Sequence, residues 1–268
     1  MKNTTHRHLA GLFLLALFCA SRSEAEVVIL GTRVIYPAAQ KDVAVQLANQ
    51  GERPALVQLW IEEDGVSATP ASTRAPFLVS PPLARMEGGK GQVVRVLHRP
   101  APLPADKETL FWFNMLEVPP KPPAGADQSL MQFAVKTQIK LIYRPDGLPG
   151  DPVDAPRRLH WSLADGESGE PLLQVHNPTP YYVNFASIGV QLDQGEVLQH
   201  PEGGGKVAPG ATASFAFPAL AQPADGGPLR PGLRKRTIRR STASTLQVVF
   251  TALSDLGAPI SLTQPIAH

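Results

Sequence analysis

Apolar residues in this chain recur two positions apart over short stretches, and no stretch sustains a helical period. Val43, Val45 and Leu47 follow this spacing, as do Val57, Leu59 and Ile61, and then Val94 and Val96. A period of two turns one side of an extended segment inward and the other towards water, which is the pattern of half-buried strands. Between these runs stand Asn49-Gln50-Gly51, Asp64-Gly65, Ser80-Pro81-Pro82 and Glu87-Gly88-Gly89, all of turn-forming composition. Proline occupies 28 of 268 positions, roughly double the usual share, and interrupts helix interiors while sparing turns and strand ends. The chain reads as all-β.

The turn spacing suits an immunoglobulin-like sandwich of about 100 residues, and the chain is long enough for two. Residues 26–145 make the first. Residues 146–156 hold three prolines together with the turns Asp146-Gly147 and Pro149-Gly150, and read as a linker. Residues 157–268 make the second, with strand candidates at 172–175, 181–185, 188–192, 215–217 and 246–253. Ahead of both, residues 9–20 form an apolar run preceded by Lys2 and Arg7 and followed by Ser23 and Ala25. That is the layout of a secretory signal peptide, residues 1–25, cleaved after Ala25. The run is about a dozen residues, too few for a spanning helix of about 20.

The only cysteine, Cys19, lies in this leader, so the exported product is expected to lack disulfides and thiolate metal sites and to depend on packed apolar cores. The leader also carries the whole formal charge of +2, through Lys2, Arg7 and Arg22 against Glu24. The balanced remainder has no global attraction for nucleic acid, which is not expected as a partner. The basic run of Arg230, Arg234, Lys235, Arg236, Arg239 and Arg240 reads as a solvated loop and strand edge, or as a contact for an acidic protein surface.

Motifs of catalysis are missing. Gly88-Gly89-Lys90 and Gly203-Gly204-Gly205-Lys206 mimic phosphate loops, but a Walker loop needs a glycine six residues before the lysine and a Ser or Thr after it. Those places hold Ala84 and Gly91, or His200 and Val207. His98, His160, His176, His200 and His268 have no i, i+4 spacing and no cysteine partners. No Gly-x-Ser-x-Gly elbow occurs. No metal, no cofactor and no enzymatic activity are expected.

Residues 129–145 are the most informative. Met131, Phe133, Val135, Ile139 and Leu141 share one face of a long strand whose other face is mostly polar. From Met131 to Leu141 the strand spans roughly 33 Å, longer than one small sandwich needs. Met131, Phe133 and Val135 either face their own core or overhang it, in which case the unpaired edge invites a partner strand.

Four motifs in order resemble those of the periplasmic pilus chaperones of the PapD type. They are Thr32-Arg33-Val34-Ile35-Tyr36-Pro37, then Leu110-Phe111-Trp112-Phe113-Asn114 with Glu117-Val118-Pro119-Pro120, then Ile139-Lys140-Leu141-Ile142-Tyr143-Arg144-Pro145, and Asn177-Pro178-Thr179-Pro180-Tyr181-Tyr182-Val183. The resemblance implies two immunoglobulin-like domains set at an angle with an interdomain cleft. It implies a non-enzymatic chaperone that binds pilin subunits and delivers them to an outer-membrane usher, lending a strand to the pilin's incomplete sheet. Met131, Phe133 and Val135 would fill the pilin groove. Arg33 and Lys140 would hold the pilin's terminal carboxylate by charge-assisted hydrogen bonds. Val135 and Lys140 are five residues apart, roughly 16 Å along a strand, so that anchor would also set the register.

The resemblance further implies an interdomain ion pair between Glu108 and Arg144, expected to be exposed and worth at most about 1 kcal/mol. The family's third, acidic member would fall near Ser241, where the chain reads Arg239-Arg240-Ser241-Thr242, so only the pair carries over. The short stretch after Pro120 resembles the family branch with a short connecting loop, and Ser80-Pro81-Pro82 resembles a family turn with a cis proline. The exposed apolar strand also predicts self-association of the free form. The competing expectation is an exported adhesin or carbohydrate-binding module, which would expose Trp60, Trp112 or Trp161 as sugar platforms.

Overall fold

The computed structural model describes residues 26–118, 133–166, 171–191, 196–217 and 246–267. The first domain holds β1 (Val27–Ile29), β2 (Arg33–Pro37), β3 (Asp42–Asn49), β4 (Ala55–Glu63), β5 (Phe77–Ser80), β6 (Leu83–Met86), β7 (Gly91–His98), β8 (Thr109–Val118) and β9 (Val135–Arg144). One sheet runs β1-β3-β7-β5 and the facing one β2-β9-β8-β4-β6. The alternating valines, leucines and isoleucines of β3, β4 and β7 supply the layer between them, joined by Tyr36, Phe77, Phe113 and Leu141. Between β1 and β2 the chain leaves one sheet for the other within three residues, and Gly31 takes φ 147° there, a conformation other residues rarely adopt. The peptide bond between Ser80 and Pro81 is cis.

The second domain holds β10 (His160–Asp165), β11 (Pro171–His176), β12 (Val183–Gln191), β13 (Val197–Gln199), β14 (Gly205–Val207), β15 (Thr212–Ala216), β16 (Gln247–Leu253) and β17 (Pro259–Ala267). The order is β13-β12-β16-β17-β10-β11-β15, with β14 also on β12. A short parallel contact, Trp161 with Ile266 and Ser162 with Ala267, joins the two halves. Trp161, Leu173, Val175, Ile188, Phe217, Val248 and Phe250 fill its separate core.

Several boundaries differ from the sequence expectations. Residues 183–185 and 188–191 of the two expected strands lie in one strand, β12, whose register shifts between Phe185 and Ser187; an irregularity there breaks the period of two. β17 went unforeseen because Pro259 and Pro265 argue against a strand. It forms because β16 pairs with its residues Pro259 to Pro265 and β10 takes over at Ile266 and Ala267. β9 starts at Val135, and Met131 lies outside the described residues, as do residues 119–130 with the short connecting loop and residues 218–245 with the basic run. The segment read as a linker is anchored: Leu148 and the buried Ala155 pack on the second core, and Ala155–Arg158 form one 3-10 turn.

The Asn177-Pro178-Thr179-Pro180-Tyr181-Tyr182 segment owes its shape to one fully buried side chain. Asn177 Nδ2 donates to the carbonyls of Tyr181 at 2.7 Å and Ala208 at 3.2 Å, and its Oδ1 accepts from Thr179 N at 3.0 Å and Thr179 Oγ1 at 2.7 Å. Asn177→Ala leaves these groups without partners in a dry site, so urea denaturation should report a loss of about 3 kcal/mol.

Candidate functional site

β2 lies parallel to β9 with Arg33 opposite Lys140 and Pro37 opposite Arg144. On the other side of β9, Lys140 faces Trp112 of β8, which in turn faces Glu62 of β4. Residues in lateral register share a face, so Arg33, Lys140, Trp112 and Glu62 make a row across the outer side of this sheet. The neighbouring side chains of β9, Ile139 and Leu141, point the other way, and Leu141 is wholly buried.

β2 has only five residues and pairs only with the Lys140–Arg144 half of β9. Among the described residues, Val135 to Ile139 are bonded on the β8 side alone. Along this half-open edge the inward face climbs out of the core. Leu141 is 0% exposed, Ile139 is half-buried, Val135 is 39% exposed and Phe133 is 70% exposed. Large apolar side chains thus stand in solvent beside unpaired strand backbone.

At the other end of the row, residues of the second domain close over the cations. Arg33 Nη1 donates to the Leu253 carbonyl at 3.4 Å, and its Nε is buried without a hydrogen-bond partner among the described residues. Lys140 Nζ donates to Asn184 Oδ1 at 2.5 Å. Burial, then the charges of Arg33 and Lys206, bring the Lys140 pKa down to about 8 against a pull from Asp64. Burial likewise lowers the Arg33 pKa, with Asp255 opposing. Both cations are poorly solvated, which is where an incoming anion gains most.

The Glu108–Arg144 pair is neither exposed nor alone. Arg144 Nε donates to Glu108 Oε1 at 2.6 Å, and its two terminal nitrogens reach the Asp255 carboxylate at 2.8 and 3.0 Å. The side chain of Glu108 is 1% exposed, and its Oε2 accepts from Tyr182 N at 2.6 Å. The third acid sits at the turn after β16, a place no motif in the sequence marks. Burial works against the Arg144 cation, but the hydrogen bonds and charges of Asp255 and Glu108 raise its pKa above the ordinary arginine value. Burial holds Glu108 above the usual carboxylate pKa despite Arg144 and the Tyr182 amide. Glu108 belongs to the first domain, Tyr182 and Asp255 to the second, and the Arg144 guanidinium also lies 5.5 Å over the Tyr181 ring.

The three tryptophans offer no sugar platform. Trp60 and Trp161 are buried, and Trp112 is half-buried with its Nε1 bonded to Asp64 Oδ1 at 2.8 Å under the Lys206 ammonium. Among the described residues no group of three His, Cys, Asp or Glu side chains is disposed to hold a metal ion.

Arg144→Ala strands the Glu108 carboxylate in a dry site, and removal of one member of a buried pair is expected to cost about 3 kcal/mol or more in urea denaturation. The double variant Glu108→Gln with Arg144→Met should recover a good part of that loss, because no unpaired buried charge remains.

This architecture recurs in known proteins. Residues 26–149 match the family model of the PapD N-terminal domain, described as a pili and flagellar-assembly chaperone, and residues 154–264 match that of the pili assembly chaperone PapD, C-terminal domain. The probable fimbrial chaperone YadV of Escherichia coli (strain K12) is 47% identical over 188 residues, which are 69% of this chain and 76% of that protein. A crystal structure of the YadV chaperone aligns with TM-score 0.68 and 33% identity, covering 90% of this chain and 100% of that one. A chain of the Salmonella enterica SafA pilin in complex with the SafB chaperone aligns with TM-score 0.67 and 27% identity over 91% of this chain and 98% of its own. With family models matched across both of its domains, this chain belongs to the PapD-type pilus-assembly chaperones, a family of periplasmic chaperones and not of enzymes.

Proposed function

We propose that this chaperone stabilises pilin subunits by lending them residues 130–136, the stretch of chain that leads into β9 at Val135, and hands them to an outer-membrane usher. One observation carries the reading. The apolar side chains of β9 leave the core and enter solvent along an edge that, among the described residues, has backbone partners on one side only, five residues from a pair of desolvated cations. A client whose sheet lacks a strand would find both the missing backbone donors and acceptors and the side chains that fill its groove. Phe133 and Val135, with Met131 preceding them in the sequence, are those side chains. Burying each is worth on the order of 1.5 to 3 kcal/mol before ordering costs.

Arg33 and Lys140 receive the client's terminal carboxylate. They are directly opposite one another in the β2–β9 ladder, so one planar anion can accept from both. Anchoring it fixes which client pocket meets which side chain, because a slip of one residue along the strand reverses the two faces. No covalent chemistry and no nucleotide are required for this cycle. Residues 1–25 direct the chain to the periplasm and are removed after Ala25; amino-terminal sequencing of the exported protein should begin at Glu26.

Co-expression with a pilin subunit from the same organism should give a soluble one-to-one complex. Arg33→Ala and Lys140→Ala are expected to abolish recovery of the pair while the free protein stays folded. Normal pilin recovery from both variants refutes the carboxylate anchor. Phe133→Asp should also abolish the complex yet leave the free protein within about 0.5 kcal/mol of the wild type, since this side chain is exposed. Unfolding of the free variant would mean that this face belongs to the private core.

Lys140 makes the two pH slopes opposite in sign. Its folded pKa of about 8 lies below its ordinary 10.5, so between those values the unfolded chain holds more protons. Stability attributable to this group therefore rises with pH across that window. Carboxylate capture needs the protonated form, and affinity should fall towards tenfold per pH unit above about 8. Urea denaturation and binding titrations of wild type and Lys140→Met at matched pH check both slopes.

A further inference from the structure

The glycine run that resembles a phosphate loop does other work. Gly203 takes φ +76°, and a Cβ on Gly204 would lie 1.9 Å from the Phe185 carbonyl oxygen. Only glycine lets this segment approach β12 so closely. The approach sets β14 against β12 with Lys206 directly opposite Asn184, the residue that accepts from Lys140. Lys206 Nζ then reaches across to the first domain, where it lies 2.7 Å from both oxygens of Asp64, and Trp112 Nε1 donates to the same carboxylate at 2.8 Å. The Lys206 ammonium also stands 5.5 Å over the Trp112 ring, and Trp112 is the cross-strand neighbour of Lys140.

Two lysines from two domains are therefore braced in opposite directions, Lys140 on the second domain and Lys206 on the first. We infer that Lys206 is a third cation of the carboxylate anchor, parked on Asp64 until a client's terminal carboxylate arrives. This rests on the anchor reading above and adds a residue to it. The Lys206 and Asp64 side chains are 33% and 37% exposed, so the pair is solvated enough to exchange partners, unlike the dry Glu108–Arg144 contact. Lys206 and Asp64 act on Lys140 with opposite signs, the lysine lowering its pKa and the aspartate raising it. Asp64 is thus an internal carboxylate that competes for the same positive field.

Fluorescence anisotropy with a labelled synthetic peptide of alternating valine and threonine, ending either in a free carboxylate or in a carboxamide, tests this on the purified protein. Lys206→Met should weaken the carboxylate peptide roughly three- to tenfold and leave the amide unchanged, and Lys206→Arg should retain the wild-type ratio. Asp64→Asn should act in the opposite sense and tighten the carboxylate peptide. Equal effects of Lys206→Met on both peptides, or a weaker carboxylate peptide in Asp64→Asn, would reduce the contact to a domain tether and overturn the inference. Arg33→Ala separates the two levels. If it too leaves the carboxylate-to-amide ratio untouched, the anchor reading itself fails; if it collapses the ratio while Lys206→Met does not, only the role of Lys206 falls.

Discussion

Among the described residues β9 has neighbours on both sides only from Lys140 onward, because β2 is five residues long and enters the sheet at Arg33 after crossing over from β1. That short parallel ladder sets everything else about the first domain's edge. It brings Arg33 beside Lys140, and it stops where the apolar face of β9 leaves the core. A longer β2 would cover the edge and make β9 an ordinary interior strand. With the ladder as it is, backbone groups of Val135 to Ile139 on one side lack a strand partner among the described residues. Edges of this kind are normally blunted; here they adjoin exposed Phe133 and Val135.

The domains meet through two kinds of electrostatic contact with different physics. Glu108 and Arg144 lie largely out of water, with Asp255 closing the cluster from its solvent side, so the two buried charges depend on each other and their geometry is tightly specified. Such clusters contribute more to a single arrangement than to net stability, because desolvation offsets much of the attraction. Lys206 and Asp64 keep a third of their surface in solvent, where pairing is weak and exchange is cheap. The dry cluster suits a fixed orientation of the domains and the wet pair suits a contact that gives way.

Much of the fold was legible in the chain because burial on one side of a strand leaves a period of two. Val57, Leu59 and Ile61, or Val94 and Val96, are interior in the structure as that period requires. The Asn177 segment stood out as a motif, and its buried hydrogen bonds explain why those residue types occur together. Legibility failed where pairing partners decide the outcome. β17 carries two prolines, and its existence depends on β16 lying alongside it. The third acid of the ion cluster was sought near Ser241 by family spacing and is met at Asp255, because the hairpin turn after β16, and not distance along the chain, brings a carboxylate to Arg144.

The alternation of apolar residues, the turn residues between them and the order of four motifs determined that this chain makes two β domains of the pilus-chaperone type, since those signals are local and survive without a partner. Tertiary structure alone decided how far β2 covers β9, which charges are desolvated, and that Lys206, on the short strand after a glycine turn, faces Asp64 from the other domain. Those outcomes depend on which surfaces meet in space. No spacing along one chain encodes the distance between residues 142 positions apart.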